Sequence, residues 1–162
     1  AATLIISDYS MREVEAIARD LPLAMDIIRF QAADRDPSHM RIIKIVQDGR
    51  CVAAAFLVIT NILKSPSGYK VELPKDQIVA WVFGAHVAES HRGLGLFTAL
   101  IEAAYNEGKR LNAGVVMSEI NRENVASMRA HARLGYTVFK NVYYFKILNK
   151  RIFIESSLIT KF

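Results

Sequence analysis

A single cysteine, Cys51, occurs in 162 residues, so no internal disulfide can form. It lies in an apolar run, where a buried, unreactive thiol is expected, and the cytoplasm is the expected compartment. Four scattered histidines and this one cysteine offer no spacing of a structural zinc site, so no metal is expected. The longest stretch without formal charge, Cys51 to Leu63, has 13 residues, whereas a helix crossing a bilayer needs about 20. No membrane partner is expected. The N-terminus lacks the basic and apolar segments of a secretory leader, and it begins at Ala1 rather than Met, as a processed, trimmed or excised chain would. Internal repeats, low-complexity tracts and a G-x-x-x-x-G-K-[ST] phosphate loop are also missing.

What is present is globular in character. Hydrophobic residues make up 52% of the chain and charged ones 23%, which excludes a disordered polymer. The length fits one domain over residues 1–162. A net charge of +5 suits an anionic cofactor or substrate. The charge is spread along the chain rather than gathered in a dense stripe, so nucleic acid is not an expected partner.

Thr3 to Ser7 reads as a strand. Ser10 to Asp20 reads as a helix with a Ser10/Glu13 capping box, and Leu23 to Ala33 as a second helix. Arg41 to Gln47 and Arg50 to Asn61 flank Asp48-Gly49, a strong hairpin signal. Lys64 to Gly68 is a turn. Gln77 to Ala88 is nearly uncharged and lacks clean alternation, as a central strand buried on both faces does. Gly84 within it predicts a bulge or a close backbone approach, and Phe56, Trp81 and Phe83 are expected in the core. Helix Gly95 to Gly108, buried strand Val115 to Ile120, and helix Asn124 to Leu134 closed by Gly135 follow. Tyr136 to Leu148 and Arg151 to Leu158 form a last strand pair around Asn149-Lys150. The fold class is therefore α/β, a mixed sheet covered by helices.

Arg92-Gly93-Leu94-Gly95 stands where the long apolar strand gives way to a helix. Two glycines at i and i+2 permit a tight turn that points several amide N–H groups at one spot. With the helix dipole and Arg92 these would form an anion site, and the alternative is a plain turn. A dinucleotide fingerprint requires a third glycine where Thr98 stands.

Two segments together resemble one family. Val87-Ala-Glu-Ser-His91-Arg92-Gly93-Leu94-Gly95-Leu96-Phe97 looks like the acyl-CoA pyrophosphate loop of the GCN5-related N-acetyltransferase family. Asn121 to Tyr136, with Asn124 opening a helix and Arg133-Leu134-Gly135-Tyr136 closing it, is similar to that family's second motif. The resemblance implies the family fold, a largely antiparallel mixed sheet splayed at its central strand with helices on both faces. It implies acetyl-CoA as cosubstrate, with the amides of Arg92, Gly93, Leu94, Gly95, Leu96 and Phe97 on the pyrophosphate. The backbone of Ala85, His86 and Val87 would run beside the pantetheine arm, with Asn124 and Ser127 facing it from their helix. The partners implied are an acyl-CoA donor and an amine acceptor of unknown identity, and a homodimer is compatible with the fold.

The chain departs from the family pattern at several points. Phe97 stands where Gly or Ala is usual. His131 takes the place of a tyrosine that protonates the departing thiolate; Asn124, Ser127 and His131 fall within about 60° on one helical stripe. Its imidazole, with an ordinary pKa near ~6.5, suits acid or base work, and a purely structural role is the alternative. No carboxylate lies between Gln77 and Ala88, so the candidate bases are His86 on that strand and Glu119 on the next. The Arg122, Arg129 and Arg133 group is expected in solvent. Tyr143-Tyr144-Phe145 is expected either in the core or along an acceptor pocket. The implied activity is direct transfer of an acetyl group to a primary amine. The alternatives are a non-catalytic acyl-CoA-binding or regulatory module, and an acyltransferase using a longer acyl donor.

Overall fold

The computed structural model describes residues 1–147 and 150–156. The Asn149 turn position, Leu148, the end of the last strand at Leu158, and the Tyr144 and Phe145 side chains lie outside the described residues. Five strands form the main sheet: β1 (Ala2–Asp8), β2 (Met40–Gln47), β3 (Arg50–Thr60), β6 (Val79–Val87) and β7 (Val115–Ser118), side by side in that order. The first three pairings are antiparallel and the last, β6 with β7, is parallel. Two small antiparallel pairs stand apart from it, β4 (Ile62–Lys64) with β5 (Lys70–Glu72), and β8 (Asn141–Ile147) with β9 (Lys150–Ser156). The mixed α/β class inferred from the sequence is the one observed.

Helices α1 (Met11–Ala18) and α2 (Met25–Ala32) cover one face of the sheet. Val14, Ile17 and Ile28 pack there with Ile42, Phe56, Val58, Trp81 and Phe83. Helix α3 (Leu96–Arg110) covers the other face, where Leu100, Ile101 and Ala104 meet Ile43, Ala55, Leu57 and Val82. Helix α4 (Val125–Arg133) packs beside α3, its buried His131 edge-on to Phe97 of α3. Because β2, β3 and β6 are covered on both sides, their side chains are apolar in both parities, and alternation is lost as expected.

Local signals explain most element ends. The Ser10 hydroxyl accepts from the Glu13 amide at 3.2 Å, capping α1. Glu13 forms only half of the expected box, since its carboxylate pairs with Lys44 on β2. Asp48 (φ 51°) and Gly49 (φ 77°) make the left-handed pair that joins β2 to β3. The turn expected at Lys64 to Gly68 is present, and it joins two strands that the sequence did not signal, Ile62 and Lys64 pairing with Glu72 and Lys70. Strand β7 is not fully buried, because Val115 is 48% exposed at the outer edge of the main sheet.

The 4%-exposed Glu107 carboxylate ties α3 to β2, receiving two 2.7 Å bonds from Arg110 and lying 3.4 Å from Arg41. These guanidinium groups hold its carboxyl below the usual carboxylate range. No helix among the described residues is long and apolar enough to cross a membrane.

Gly108 tests how closely α3 lies on the sheet. A Cβ there would stand 2.8 Å from Ala80 Cβ and 3.0 Å from Val116 Cγ2. Alanine raises helix propensity by about 1 kcal/mol, but overpacking a filled interior costs about 1–3 kcal/mol. Gly108→Ala should therefore lower the midpoint of denaturant unfolding, and Ala80→Gly in the same chain should restore part of the loss.

Candidate functional site

Between Phe83 and His86, strand β6 takes three residues while β3 takes two, from Phe56 to Ala54. The extra residue is a bulge, with Gly84 at φ 63°. A Cβ on Gly84 would also press on Phe56 at 3.0 Å and on Ile28 of α2 at 3.4 Å, so glycine is required by conformation and by space. On its other side, β6 is paired with β7 only from Val79 to Val82, the last partner being Ser118. From Phe83 to Val87 the β6 edge facing β7 has no strand beside it among the described residues. A bent strand and a short neighbour thus leave a fork in which the edge of Ala85, His86 and Val87 toward β7 has no strand partner among the described residues.

The strand then runs through a single turn, Glu89–His91, into the glycine loop. Gly93 (φ 77°) and Gly95 (φ 78°) are both left-handed, with open space where a Cβ would be. Gly95 is the N-cap of α3, and no side chain caps that helix. Its first amides therefore point out of the loop unengaged by a capping group, at the positive end of the helix dipole. Leu94 stands exposed at the loop apex, and Leu96 packs partly against the α3-side core. The Arg92 side chain is 60% exposed and lies 3.4 Å from Glu89.

Phe97 does not obstruct the loop. Its ring turns inward onto His131, centroids 5.7 Å apart, and joins the α3-side core. His131 is sandwiched on its other side by Tyr136, edge-on at 5.1 Å. The turn that ends α4 explains this contact. Gly135 (φ 83°) bonds back to Ala132, and the Tyr136 amide to the His131 carbonyl, so the chain folds Tyr136 over the last turn. Burial pushes the Tyr136 hydroxyl up to about 12. The His131 Nδ1 lies 2.8 Å from the Ser127 carbonyl, which makes it the donor there, and leaves the buried Nε2 without a partner.

At the start of α4, Asn124 Oδ1 accepts from the Ser127 amide at 3.1 Å. The cap engages Oδ1, the acceptor atom of the Asn124 side chain. The three residues of the expected stripe are thus joined by bonds, with Ser127 Oγ also 3.4 Å from His131 Nδ1.

The two candidate bases occupy different arms of the fork. His86 pairs with Ala54, a residue of the α1/α2-side core, so its side chain lies on that side; its Nε2 is buried and unpartnered. Burial lowers its pKa, Arg92 lowers it further and Glu89 opposes this. Glu119 follows Ser118 at the end of β7, and its carboxylate accepts from the Ser65 hydroxyl at 2.9 Å. Burial raises its pKa and the Ser65 bond lowers it. Ser65 carried no local signal of function, since Ser-Pro-Ser-Gly reads as a turn and its partner lies far along the chain. Tyr143 is 40% exposed rather than core, and its hydroxyl accepts from Arg122 at 3.4 Å. Arg122, Arg129 and Arg133 are exposed as expected, with Arg122 preceding α4 rather than lying on it.

Residues 6–136 match the acetyltransferase (GNAT) family. The chain belongs to this family. No curated protein sequence matches it. Among solved structures it is similar to the aminoglycoside N-acetyltransferase AAC(6')-Iy in complex with CoA, at 20% identity and a TM-score of 0.62, over 88% of this chain and 98% of that one. It is also similar to a predicted acetyltransferase with acetyl-CoA from Clostridium acetobutylicum, with 9% identity, TM-score 0.61 and coverage of 85% and 91%. A transcriptional regulator from Bacillus halodurans C-125 shares the fold too, at 16% identity and TM-score 0.56, over 83% and 93%. At these identities the likeness shows the GNAT fold alone.

The charges around His86 give this GNAT site a testable titration. Its midpoint, followed by NMR, should lie below the ordinary ~6.5. Arg92→Ala should raise it and Glu89→Ala lower it further. The unfolded chain binds a proton at this histidine before the folded one does, so His86 contributes to stability loss as pH falls below about 6.5.

Proposed function

We propose that this chain is an N-acetyltransferase that moves an acetyl group from acetyl-CoA to a primary amine by direct attack on the thioester. The observation that carries this reading is the β6–β7 fork ending in an uncapped, doubly left-handed glycine loop. The unengaged amides from Gly93 to Phe97 would hold the pyrophosphate, with Arg92 swinging from Glu89 to add positive charge. The free backbone edge of Ala85 to Val87 would pair with the amide-bearing pantetheine arm as a strand does. Asn124 would donate its side-chain amide to the same arm, with Ser127 next to it. CoA is present in the structure of AAC(6')-Iy, and a bisubstrate analogue joining CoA to an acetylated neamine is bound in another structure of that enzyme. These neighbours support an acyl-CoA donor with an amine acceptor.

In this reading the amine nitrogen attacks the thioester carbonyl carbon while β6 amides stabilise the oxygen that gains charge. The carbon–sulfur bond breaks with its electrons on sulfur. His86 or Glu119 would take the proton that the amine loses. His131 enters mainly as the wall between α3 and α4. Its Nδ1 proton is committed to Ser127, so a proton for the thiolate would be a second one on the ring. A second reading, a non-catalytic acyl-CoA-binding module, draws on one observation: His86 is the sole titratable residue of β6.

Calorimetric titration should show acetyl-CoA binding in the micromolar range, and no heat at hundreds of micromolar would sink the proposal. Alanine at φ near +77° costs about 1–2 kcal/mol, so Gly93→Ala and Gly95→Ala should each weaken binding about tenfold. The same strain should lower their unfolding midpoints where the loop keeps its left-handed backbone, and a loop that relaxes instead loses the amide geometry that binding needs. Release of CoA with a panel of primary amines separates the enzyme from the module.

A further inference from the structure

Ser65 is 3% exposed, although its turn neighbours Pro66 and Gly68 lie in solvent. A hydroxyl buried within an exposed turn needs a reason, and its partners supply one. Ser65 Oγ donates to Glu119 Oε1 at 2.9 Å, joining the β4–β5 hairpin to the end of β7. It accepts from the Ser67 amide at 3.3 Å and lies 2.8 Å from the Ser67 hydroxyl.

The hairpin that carries Ser65 is itself anchored. Gln31 of α2, 2% exposed, donates to the Lys64 carbonyl at 2.6 Å. Arg35 donates to the Ile62 carbonyl at 3.0 Å, and Lys64 reaches back to the Ala33 carbonyl at 2.8 Å. One turn earlier on α2, Ile28 lies beneath the Gly84 bulge. Helix, hairpin and strand end therefore enclose the side of the fork opposite α3 and α4.

We propose that Ser65 is a positioning residue for the acceptor: it holds Glu119 at the mouth of the β6–β7 fork, where the carboxylate receives the acceptor ammonium and takes its proton. The proposal rests on the acetyl-transfer reading above and deepens it, because it commits the acceptor to arrive as a cation. The balance is simple. The ammonium gives one proton to Glu119 and keeps the electron pair that forms the new nitrogen–carbon bond. The carbon–sulfur bond breaks, the proton shed by the acylated nitrogen neutralises the thiolate, and Glu119 returns its proton to water.

Desolvation raises the pKa of the Glu119 carboxyl and the Ser65 hydroxyl bond opposes that rise, so the bond tunes the group that would accept the proton. The neighbouring charged groups are directed elsewhere. Lys64 faces Ala33, Arg35 faces the Ile62 carbonyl, and His86 answers to Arg92 and Glu89. Lys70 stands on β5, across from Lys64.

The test is the pH dependence of kcat/KM for wild type, Ser65→Ala, Ser65→Thr and Glu119→Gln, using acetyl-CoA with n-butylamine, spermidine and neamine as probes. Losing a hydrogen bond to a charged group should move the acid limb of Ser65→Ala up by about one pH unit. Ser65→Thr keeps the hydroxyl and should restore the wild-type limb. Glu119→Gln should lose about 100-fold or more and flatten that limb. A carbon-13 titration of the Glu119 carboxyl should show the same shift between wild type and Ser65→Ala. A uniform loss across pH in Ser65→Ala, with its limb unmoved, overturns the proposal while leaving acetyl transfer intact. Binding of acetyl-CoA with no turnover of any probe amine counts against both. If acetyl-CoA does not bind, the failure belongs to the reading of function.

Discussion

Over the stretch where β3 advances from Phe56 to Ala54, β6 must fit in one residue more, and Gly84 absorbs it. The resulting bend cannot be moved, because Phe56 and Ile28 fill the space on its inner side. Two residues before Gly84, the parallel pairing with β7 stops at Val82 and Ser118. Everything proposed for the site depends on that separation. Among the described residues it leaves one edge of β6 from Phe83 to Val87 without a strand beside it, next to the outermost strand of the sheet. Buried unpaired amides and carbonyls are costly, so a fork of this kind is stable only if water or a ligand enters it.

The two faces of the sheet then serve different ends. On the α3 and α4 side, packing supplies order: Phe97, His131 and Tyr136 stack edge to face and fix the helix that carries Asn124 and Ser127. On the α1 and α2 side, hydrogen bonds supply order, through Gln31, Lys64, Ser65 and Glu119. The apolar side is suited to gripping a constant part of a cosubstrate. The polar side, built on a short hairpin, is where an acceptor's own charge would be read.

The glycine loop, the bulge and the ends of α4 were legible along the chain because their geometry is local. Gly93 and Gly95 announce left-handed backbone, Gly84 announces a bulge, and Asn124 and Gly135 mark the two ends of α4; each signal lies within a few residues of its effect. The departures that made the motif look doubtful are resolved by contacts between distant segments. Phe97 is tolerated because His131 receives its ring, and no spacing rule encodes that pairing. Ser65 was invisible for the same reason, since its burial depends on Gln31 and its partner is Glu119. Strand β4 was hidden by its length: three residues beside a Pro-Gly turn carry too little periodicity to distinguish from loop.

The most direct measurement is a crystal structure of the chain with CoA bound. The account predicts the pyrophosphate against the amides from Gly93 to Phe97, the pantetheine arm beside Phe83 to Val87, and the sulfur near Ser118 where the two strands part. CoA bound elsewhere, or a fork closed by β7 pairing onward past Ser118, would contradict it.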